Sequence, residues 1–452
     1  MKKLRFYIAF YIAKIGQEFL KLLKRNATFF PGKVAIKICP YFLEYVDKPE
    51  KIIAVTGTNG KTTVCNLLND VLQDNNYKVL NNSFGSNVNS GIASAFITNS
   101  NWLNKTKKEI AVLEVDERSS LLIYKYIKPT YLVCTNLFRD SIKRNGHTDF
   151  IVDIINKALP KETKIIINAD DLISCKLGKE NEKIYFGIDK LDTDVEETKN
   201  IIKDIKTCPK CNTKLKYEYA RYHHIGKAYC PNCDFKSPNG DYLVTNINKE
   251  QKEITVKNKE QEHKYYMIAD SIFNIYNEIA IITLLRELGL EENKINESLK
   301  GTKILASRLG EDSIDGIKVM THMTKRENPV AASRVFDYVK GEDGNKAVII
   351  IVDDNLDAKI SSENITWIYD ADYELLNDNS IKQVIVGGVR SKDHKVRLLI
   401  AGVKEQKIFI TEDELKTIEL VKKDEIDKLF ILHDMNKYNT ALKLKEKMRG
   451  NV

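Results

Sequence analysis

Eight consecutive residues, Thr56 to Thr63, have the composition of a phosphate-binding loop. They spell TGTNGKTT and lie between a short apolar run, 51–55, and an amphipathic stretch that begins at Val64. A strand, a glycine-rich loop and a helix start present backbone N–H groups and a helix dipole to a polyphosphate. The lysine adds positive charge and a hydroxyl can hold Mg2+. We therefore predict a nucleotide site formed by Gly57, Thr58, Asn59, Gly60, Lys61, Thr62 and Thr63.

The loop departs from the standard G-x4-G-K-[ST] spacing, because Val55 stands five residues before Gly60. A purely structural glycine-rich turn is the alternative. Lys61 and Thr62 follow Gly60 directly, and they favour the phosphate-binding interpretation.

A carboxylate is predicted close to this loop. Strand-like runs at 110–114, 131–135 and 164–168 alternate with helical stretches, which predicts a mostly parallel sheet covered by helices. Ligands of such sheets bind at the carboxyl ends of the strands. Glu114 ends one of these strands and could face the Mg2+ of a bound nucleotide. A solvated acid at a strand end is the alternative.

Four of the eight cysteines have the spacing of a zinc ribbon. Two C-x2-C pairs enclose 18 residues, and each pair offers two sulfurs to one tetrahedral ion. A shell of four thiolates leaves no open position, so the zinc should be structural. Two disulfides are the alternative, which suits a cytosolic chain poorly. The predicted ligands are Cys208, Cys211, Cys230 and Cys233.

The composition is that of a large globular protein. The chain has 452 residues, 43% of them hydrophobic and 30% charged, which is enough for about three domains. Its net charge of +8 is small for this length and does not indicate a dedicated nucleic-acid binder.

The amino terminus carries most of the excess charge. Residues 1–25 have a net charge of +6 and predict an amphipathic helix. No apolar run is long enough to span a membrane, and no cleavable signal is recognisable, which predicts a cytoplasmic chain. The helix should pack on its own protein, with contact at the inner face of the plasma membrane as the alternative. Its predicted apolar stripe is Leu4, Ile8, Ile12, Ile15, Phe19 and Leu22.

Further motifs resemble the central domain of the Mur ligases. They are TGTNGKTT itself, LEVDE at 113–117, TNLFRD at 135–140 and NADD at 168–171. The MurT family within the Mur ligases is matched more specifically by PGKVAIKICP at 31–40, the four-cysteine ribbon and WIYDADYE at 367–374. Members of that family are ligase subunits of lipid II isoglutaminyl synthase and work with the glutaminase GatD.

The resemblance covers nearly the whole chain and implies an α/β fold. It predicts a Mur ligase central domain with a parallel sheet and phosphate loop at 46–312, which contains the inserted zinc ribbon at about 205–236. An amino-terminal lead-in, 1–45, precedes it. A Rossmann-like α/β domain that docks the glutaminase follows at 313–452.

The resemblance also implies roles for single residues. Lys61 and Thr62 would bind the ATP phosphates and Mg2+, and Glu114 would meet the Mg2+. Asn136 matches a residue near the metal and the acceptor. Two further positions match residues that contact ATP, Asn277 at the adenine and Arg308 at the phosphates. Incidental helix amides and a solvated arginine are the alternatives there.

In the carboxyl-terminal part we predict strands at 347–352, 383–387 and 429–432 and a last helix at 438–448. The resemblance implies that this domain contributes an Asp to the Cys–His pair of the glutaminase, since a carboxylate orients and stabilises the imidazolium. Asp370 is the first candidate and Asp372 the second; an acid without a partner subunit is the alternative. The run from Gly388 to Leu398 also resembles the family, with Lys395 in place of the usual Ala.

Two departures from the family pattern affect the acceptor. After Asp140 the chain continues with an unusual segment, 141–147, and Glu327 replaces the lysine of the usual Lys-Asn-Pro. The nearest lysine is Lys325. A bacterial lipid II and an archaeal pseudomurein precursor both remain open as acceptors.

We expect an ATP-dependent carbon–nitrogen ligase subunit that uses glutamine as amido donor. Lys61, Glu114 and Asp370 would carry the reaction, with ATP, Mg2+ and structural Zn2+ as cofactors. A Mur-type or folylpolyglutamate-type ligase that adds an amino acid without a glutaminase is the alternative. A third possibility is a binding module whose ribbon lysines and tyrosines contact nucleic acid or protein.

Overall fold

The computed structural model describes residues 1–25, 27–82, 86–140, 146–302, 309–325, 327–352 and 365–450. They form two compact units. The first consists of residues 1–138, 147–198 and 204–304, and the second of residues 139–146, 199–203 and 305–452. Arg308 lies outside the described residues, as do Ser141 to Asn145 of the unusual segment 141–147.

The first unit begins with three helices and continues as alternating strands and helices. In chain order its elements are α1 Lys2–Leu22, α2 Phe30–Ile38, α3 Phe42–Tyr45, β1 Lys51–Thr56, α4 Lys61–Asp74, β2 Val79–Asn81, α5 Asn89–Asn99, β3 Ile110–Glu114, α6 Ser120–Ile123, β4 Tyr131–Cys134, α7 Thr148–Ala158, β5 Lys164–Asn168, β6 Lys183–Ile188, β7 Lys216–Tyr222, β8 Ile225–Tyr229, β9 Tyr242–Asn248, β10 Glu253–Asn258, β11 Gln261–Tyr266, α8 Ile272–Glu287 and α9 Glu292–Gly301.

A nine-stranded sheet organises this unit. Its strand order is β11-β10-β9-β6-β5-β4-β1-β3-β2. The strands from β9 through β2 run parallel to their neighbours, and β9, β10 and β11 form an antiparallel meander. The predicted strands at 51–55, 110–114, 131–135 and 164–168 and the parallel sheet are confirmed.

Burial on both faces explains why β1 contains a continuous apolar run. In β1, all residues from Ile52 to Thr56 are buried, as is typical of parallel sheets covered by helices. β1 lies between β3 and β4, so the ends of these three strands meet at one edge. The phosphate loop and Glu114 both lie at that edge.

Helix α1 forms as predicted but packs with a different face. Its buried residues are Phe6, Ala9, Phe10, Ala13, Lys14 and Gln17. The predicted apolar stripe faces solvent instead. Lys14 is buried and donates hydrogen bonds to the carbonyl oxygens of Ile97 and Ser100, at 2.6 and 2.7 Å. The prediction of the packed face was therefore wrong. No helix among the described residues has the length and apolarity that a membrane span requires.

The second unit is a smaller α/β layer. Its elements in chain order are β12 Leu309–Ile314, β13 Ile317–Met323, α10 Pro329–Gly341, β14 Lys346–Ile351, α11 Trp367–Asp370, β15 Ile381–Gly387, α12 Ser391–Ile400, β16 Ile408–Thr411, β17 Lys428–His433 and α13 Tyr438–Met448. The sheet order is β12-β13-β17-β14-β15-β16, and only β12 is antiparallel to its neighbour. The three predicted strands and the last helix are confirmed. The strand order differs from that of the doubly wound dinucleotide-binding fold.

The altered Lys-Asn-Pro segment retains a local structural role. Asn328 is buried and its side-chain oxygen accepts a hydrogen bond from the N–H of Ala331, which caps α10. Pro329 is the first residue of the helix, where its missing N–H costs nothing. Lys325 lies 3.7 Å from Asp140 within the same unit.

Candidate active site

The loop between β1 and α4 depends on two glycines in the left-handed region. Gly57 has a φ of 129° and Gly60 a φ of 90°, which L side chains rarely adopt. A Cβ at Gly57 would collide with Thr135 Oγ1, and one at Gly60 would collide with Asn277 Oδ1. The predicted adenine residue Asn277 therefore lies directly against the phosphate loop, although it is more than 200 residues away in sequence.

Lys61 begins α4 and interacts with a carboxylate that the sequence analysis did not select. Its Nζ donates to the carbonyl oxygen of Gly57 and lies 2.8 Å from Glu117 Oε1. Burial disfavours the ammonium ion, but the attraction of Glu117, Glu114 and Asp116 outweighs it and raises the pKa of Lys61. The loop therefore holds a firmly charged lysine. The LEVDE motif, which places Glu117 three residues after Glu114, could have indicated this pair.

Thr62 and Glu114 form the predicted oxygen pair for Mg2+. The Thr62 hydroxyl donates to Glu114 Oε2 at 2.9 Å, and the Asn87 amide donates to Oε1 at 3.2 Å. Asn82 fixes the backbone of Glu114 through its N–H and its carbonyl, at 2.8 and 2.9 Å. Hydroxyl and carboxylate oxygens at a phosphate loop are the donors that Mg2+ prefers. The residues present therefore fit this ion.

The residues that follow β4 hold the phosphate loop in place through hydrogen bonds. Asn136 accepts a hydrogen bond from the N–H of Asn59 and donates to its carbonyl oxygen, at 3.1 and 3.0 Å. The Thr58 hydroxyl donates to the carbonyl of Phe138 and accepts from its N–H, at 3.0 and 2.9 Å. The amide of Asn136 thus holds the loop, and its position near the metal and the acceptor stays a prediction. Thr63 is half-buried in the first turn of α4.

The four predicted zinc ligands converge. Their Sγ atoms all lie within 4.8 Å of one another. The Sγ atoms are separated by 3.5 Å in Cys208–Cys233, 3.4 Å in Cys211–Cys230 and 3.7 Å in Cys211–Cys233. A tetrahedral zinc with bonds of about 2.3 Å needs separations of about 3.8 Å, whereas a disulfide needs about 2.05 Å. The cysteines therefore fit zinc and do not form the alternative disulfides. Hydrogen bonding with Thr213 lowers the pKa of Cys211 to about 6.

The hairpin β7–β8 connects the two cysteine pairs and is tied to the NADD motif. Asp170 Oδ2 accepts hydrogen bonds from Arg221 Nη1 at 2.8 Å and from the Tyr276 hydroxyl at 2.6 Å. Arg221 Nη2 also pairs with Asp194 at 3.0 Å. Asp170 thereby joins the hairpin to α8, the helix that carries Asn277.

The turn of the same hairpin reaches the segment that supports the phosphate loop. His224 Nε2 lies 3.1 Å from Asp171 Oδ1, and Asp171 Oδ2 accepts the N–H of Leu137 at 2.9 Å. The ring of Phe138 lies 4.6 Å from that of His224, measured between centroids. The hairpin therefore packs against the residue that is hydrogen-bonded to Thr58.

In the second unit, the two candidate aspartates have different surroundings. Asp372 is buried, and its two oxygens accept hydrogen bonds from Asn200 Nδ2 at 2.8 Å and from the N–H of Ile201 at 2.7 Å. Burial raises its pKa. Asp370, the last residue of α11, keeps 29% of its side chain exposed and lies 3.7 Å from Arg139. Asp370 is therefore the more accessible of the two carboxylates.

Arg397 holds the helix that carries Asp370. Its side chain is buried and donates to the carbonyl oxygens of Ile368 and Ala371, at 2.9 and 2.8 Å, and to Glu374 Oε2 at 2.8 Å. These acceptors lie on both sides of Asp370 in sequence. Lys395, which departs from the family pattern, lies on α12 together with Arg397 and pairs with Glu405 at 2.8 Å.

Comparisons with known proteins agree with this geometry. The Mur ligase middle domain matches residues 55–233, and the MurT ligase C-terminal domain matches residues 326–438. The lipid II isoglutaminyl synthase (glutamine-hydrolyzing) subunit MurT of Staphylococcus aureus (strain COL) is 31% identical over 416 residues, which cover 91% of this chain and 92% of that protein. The chain belongs to the MurT family. The MurT subunit of Streptococcus pneumoniae (strain ATCC BAA-255 / R6) is 32% identical over 412 residues, 88% of each chain.

The fold of this MurT-family chain is also that of solved Mur-type ligases. A pseudomurein peptide ligase type C from Methanothermus fervidus superposes with a TM-score of 0.66 at 21% identity, covering 90% of this chain and 80% of that one. As a member of this family the chain is an ATP-dependent ligase of cell-wall synthesis. Lys61, Thr62 and Glu114 are its candidate contacts for phosphate and metal.

Proposed function

We propose that the chain amidates a peptide carboxylate in a lipid-linked cell-wall precursor. The α-carboxyl of D-glutamate would become the amide of D-isoglutamine, with ammonia delivered by a GatD-type glutaminase subunit. The similarity to two MurT subunits over about nine-tenths of the chain supports this acceptor and this amido donor. The arrangement of Lys61, Thr62 and Glu114 at one loop is the observation that carries the chemistry.

A carboxylate resists attack by ammonia because it is anionic and a poor acyl donor. Transfer of the γ-phosphoryl group of ATP to the carboxylate gives an acyl phosphate, and ammonia then displaces phosphate from it. Lys61 and the N–H groups of the loop stabilise negative charge on the transferring group. Thr62 and Glu114 would hold Mg2+, which supplies further charge neutralisation when bound.

Access to the partner distinguishes the two aspartates. The glutaminase needs a carboxylate that a second protein can reach, and Asp370, with 29% of its side chain exposed, meets that requirement. Both oxygens of Asp372 are already hydrogen-bonded inside the unit. We therefore propose that Asp370 supplies the carboxylate for the Cys–His pair of the glutaminase. In the proposed division of labour, the first unit activates the acceptor and the second serves the glutaminase.

The complex with the glutaminase provides the test. Amidation of lipid II would be measured with either glutamine or ammonium as nitrogen source. We expect Asp370→Asn to abolish the glutamine-driven reaction and to leave the ammonium-driven one unchanged. Asp424→Asn, at an exposed position of the same unit, is the matched control and should affect neither reaction.

Two results would contradict the proposal. Loss of both reactions in Asp370→Asn would remove the assigned partner role. Incorporation of an amino acid in place of ammonia, with no need for a glutaminase, would favour the amino-acid-adding alternative.

A further inference from the structure

The outer face of α1 is an apolar stripe that no described residue covers. Leu4, Ile8, Ile12, Ile15, Phe19 and Leu22 recur at intervals of three or four residues and therefore share one side of the helix. Each is between 48% and 84% exposed. We call this set the outer stripe. Single exposed apolar residues are ordinary, but six in a row along one helix are not.

The stripe is not the result of a loosely attached helix. The opposite side of α1 is packed, with Phe6, Ala9, Phe10 and Ala13 at most 1% exposed. The buried Lys14 ammonium donates to two carbonyl oxygens at the end of α5, and Gln17 donates to Thr98 Oγ1. The helix is thus fixed on the first unit with its outer stripe turned to solvent.

Positive charge is concentrated in the segment that bears the stripe. Residues 1–37 contain nine Lys and Arg residues and one acid, Glu18, a net +8 that equals the net charge of the whole chain. Lys2, Lys3 and Arg5 at the start of α1 are exposed, as are Lys24 and Arg25 after its end. The rest of the molecule is therefore neutral overall.

The corner beside the first turns of α1 has interfacial character. Leu103 lines one groove together with Lys3 and Tyr7, and it is 72% exposed. The exposed Trp102 precedes it. Tryptophan and tyrosine favour the boundary between water and the acyl chains, and lysines extend toward anionic headgroups.

We propose that the outer stripe docks this chain on an anionic lipid bilayer surface. An apolar helical face flanked by cations fits such a surface, since the face enters the acyl boundary while the cations meet the phosphates. An apolar stripe without flanking cations would suit a second protein equally well. The flanking cations therefore favour the lipid surface over a protein partner. This inference is independent of the reaction assigned above, because it concerns binding alone.

The test is co-sedimentation of the full chain with vesicles of about 30% phosphatidylglycerol in phosphatidylcholine at about 100 mM salt. We expect the wild type to bind these vesicles and to bind pure phosphatidylcholine weakly. The triple variant Ile8→Ser, Ile12→Ser and Ile15→Ser should lower the partition coefficient at least about tenfold. The control Leu121→Ser with Leu122→Ser changes exposed apolar residues elsewhere and should bind normally. All three proteins should retain ATP turnover.

A charge variant and fluorescence examine the two parts of the surface. Replacing Lys2, Lys3, Lys24 and Arg25 by Gln should weaken binding to the anionic vesicles and reduce its salt dependence.

Tryptophan fluorescence reports on the surface beside the stripe. The chain has two tryptophans, of which Trp102 is exposed and Trp367 is buried. Vesicle binding should therefore shift the emission to the blue in the wild type and not in Trp102→Phe.

Several outcomes would overturn the proposal. Absence of wild-type binding, equal binding by the triple variant, or binding without an emission shift would each show that this face does not dock on lipid. A wild-type dimer in sedimentation equilibrium that the triple variant dissociates, without vesicle binding, would assign the stripe to a second copy of the chain.

Discussion

The ammonium group of Lys61 connects the two sides of the candidate active site. It touches the loop through Gly57 and the carboxylate cluster through Glu117. A triphosphate that reaches this lysine meets both a cation and a nearby anion. The balance between these charges sets the affinity for ATP.

Removal of the lysine should abolish turnover. We expect Lys61→Ala to lower ATP-dependent amidation by about 10²- to 10³-fold, because charge on the transferring group loses its fixed partner. Lys51→Ala, an exposed lysine ten residues earlier, is the control and should retain full activity. Phosphate release with ammonium as nitrogen source measures the effect. Unchanged release in Lys61→Ala would remove the loop from the reaction.

Glu117 offers a sharper test at the same site. Because its charge lies 2.8 Å from the Lys61 ammonium, Glu117→Gln should remove repulsion toward the triphosphate and tighten ATP binding a few-fold. Isothermal titration calorimetry with Mg2+ present measures the dissociation constant. Weaker binding together with a higher requirement for Mg2+ would show that Glu117 acts on the metal instead.

Motif types supplied the candidate residues of this site and did not contain the contacts between them. Lys61, Thr62 and Glu114 were identifiable because a phosphate loop and a strand end constrain residue type locally. The LEVDE motif pointed to the acid Glu117, but its pairing with Lys61 depends on side-chain directions beyond the ends of β1 and β3, which a motif does not contain. The placement of Asn277 followed from family resemblance, and only the fold shows that it lies against Gly60.

At the scale of elements, the ribbon connects a metal site with the phosphate loop. The hairpin β7–β8 contacts Phe138, and Phe138 is hydrogen-bonded to Thr58 on both sides. Loss of the ribbon's fold should therefore change the conformation of the phosphate loop, even though the cysteines themselves take no part in phosphate binding.

Metal removal provides the measurement. We expect one equivalent of zinc per chain by elemental analysis, and Cys211→Ser should lose most of it, lower the melting temperature and weaken ATP binding. Cys175→Ser changes a cysteine outside the ribbon and should keep the zinc. Full zinc content in Cys211→Ser would exclude the four-thiolate site, and unchanged ATP affinity in the zinc-free protein would exclude the connection to the loop.

Helix α1 shows why burial is harder to predict than periodicity. The stripe and the opposite face both contain apolar residues at helical spacing, so the pattern alone offers two candidate faces. Packing was decided by small residues, Ala9 and Ala13, and by the buried ammonium of Lys14, which meets the carbonyls of α5. Helix contacts of that kind depend on where α5 lies, which a local pattern does not contain.

At the scale of the molecule, the two units contain buried ionisable groups of opposite kind. In the first unit, burial raises the pKa of Glu278 to about 8. In the second unit, burial lowers the pKa of His322 to about 4. Both groups are neutral in the folded protein at intermediate pH, and each ionises in the unfolded chain.

The signs of the two pH dependences are therefore opposite. The folded state keeps the Glu278 proton that the unfolded chain loses above about pH 4.5. The contribution of Glu278 to the free energy of unfolding therefore falls as pH rises toward about 8. The unfolded chain gains a proton at His322 below about pH 6.5 that the folded state does not bind, so stability falls with acidity.

Neutral variants isolate each contribution. We expect the free energy of unfolding of Glu278→Gln, relative to wild type, to increase steadily from pH 5 to pH 8, by at most about 1.4 kcal/mol for each pH unit. His322→Gln should gain stability relative to wild type only below about pH 6.5. The exposed Glu291→Gln is the control. Flat differences over these ranges, measured by calorimetry, would contradict the assigned protonation states.

The excess positive charge is concentrated in the segment that bears the outer stripe, and everything beyond residue 37 sums to zero. A body with this asymmetry experiences a torque in the field of a charged plane, and at physiological ionic strength that torque acts within about 8 Å of the plane. Collisions with such a plane would thus begin with the amino-terminal end leading, before any apolar side chain has touched it.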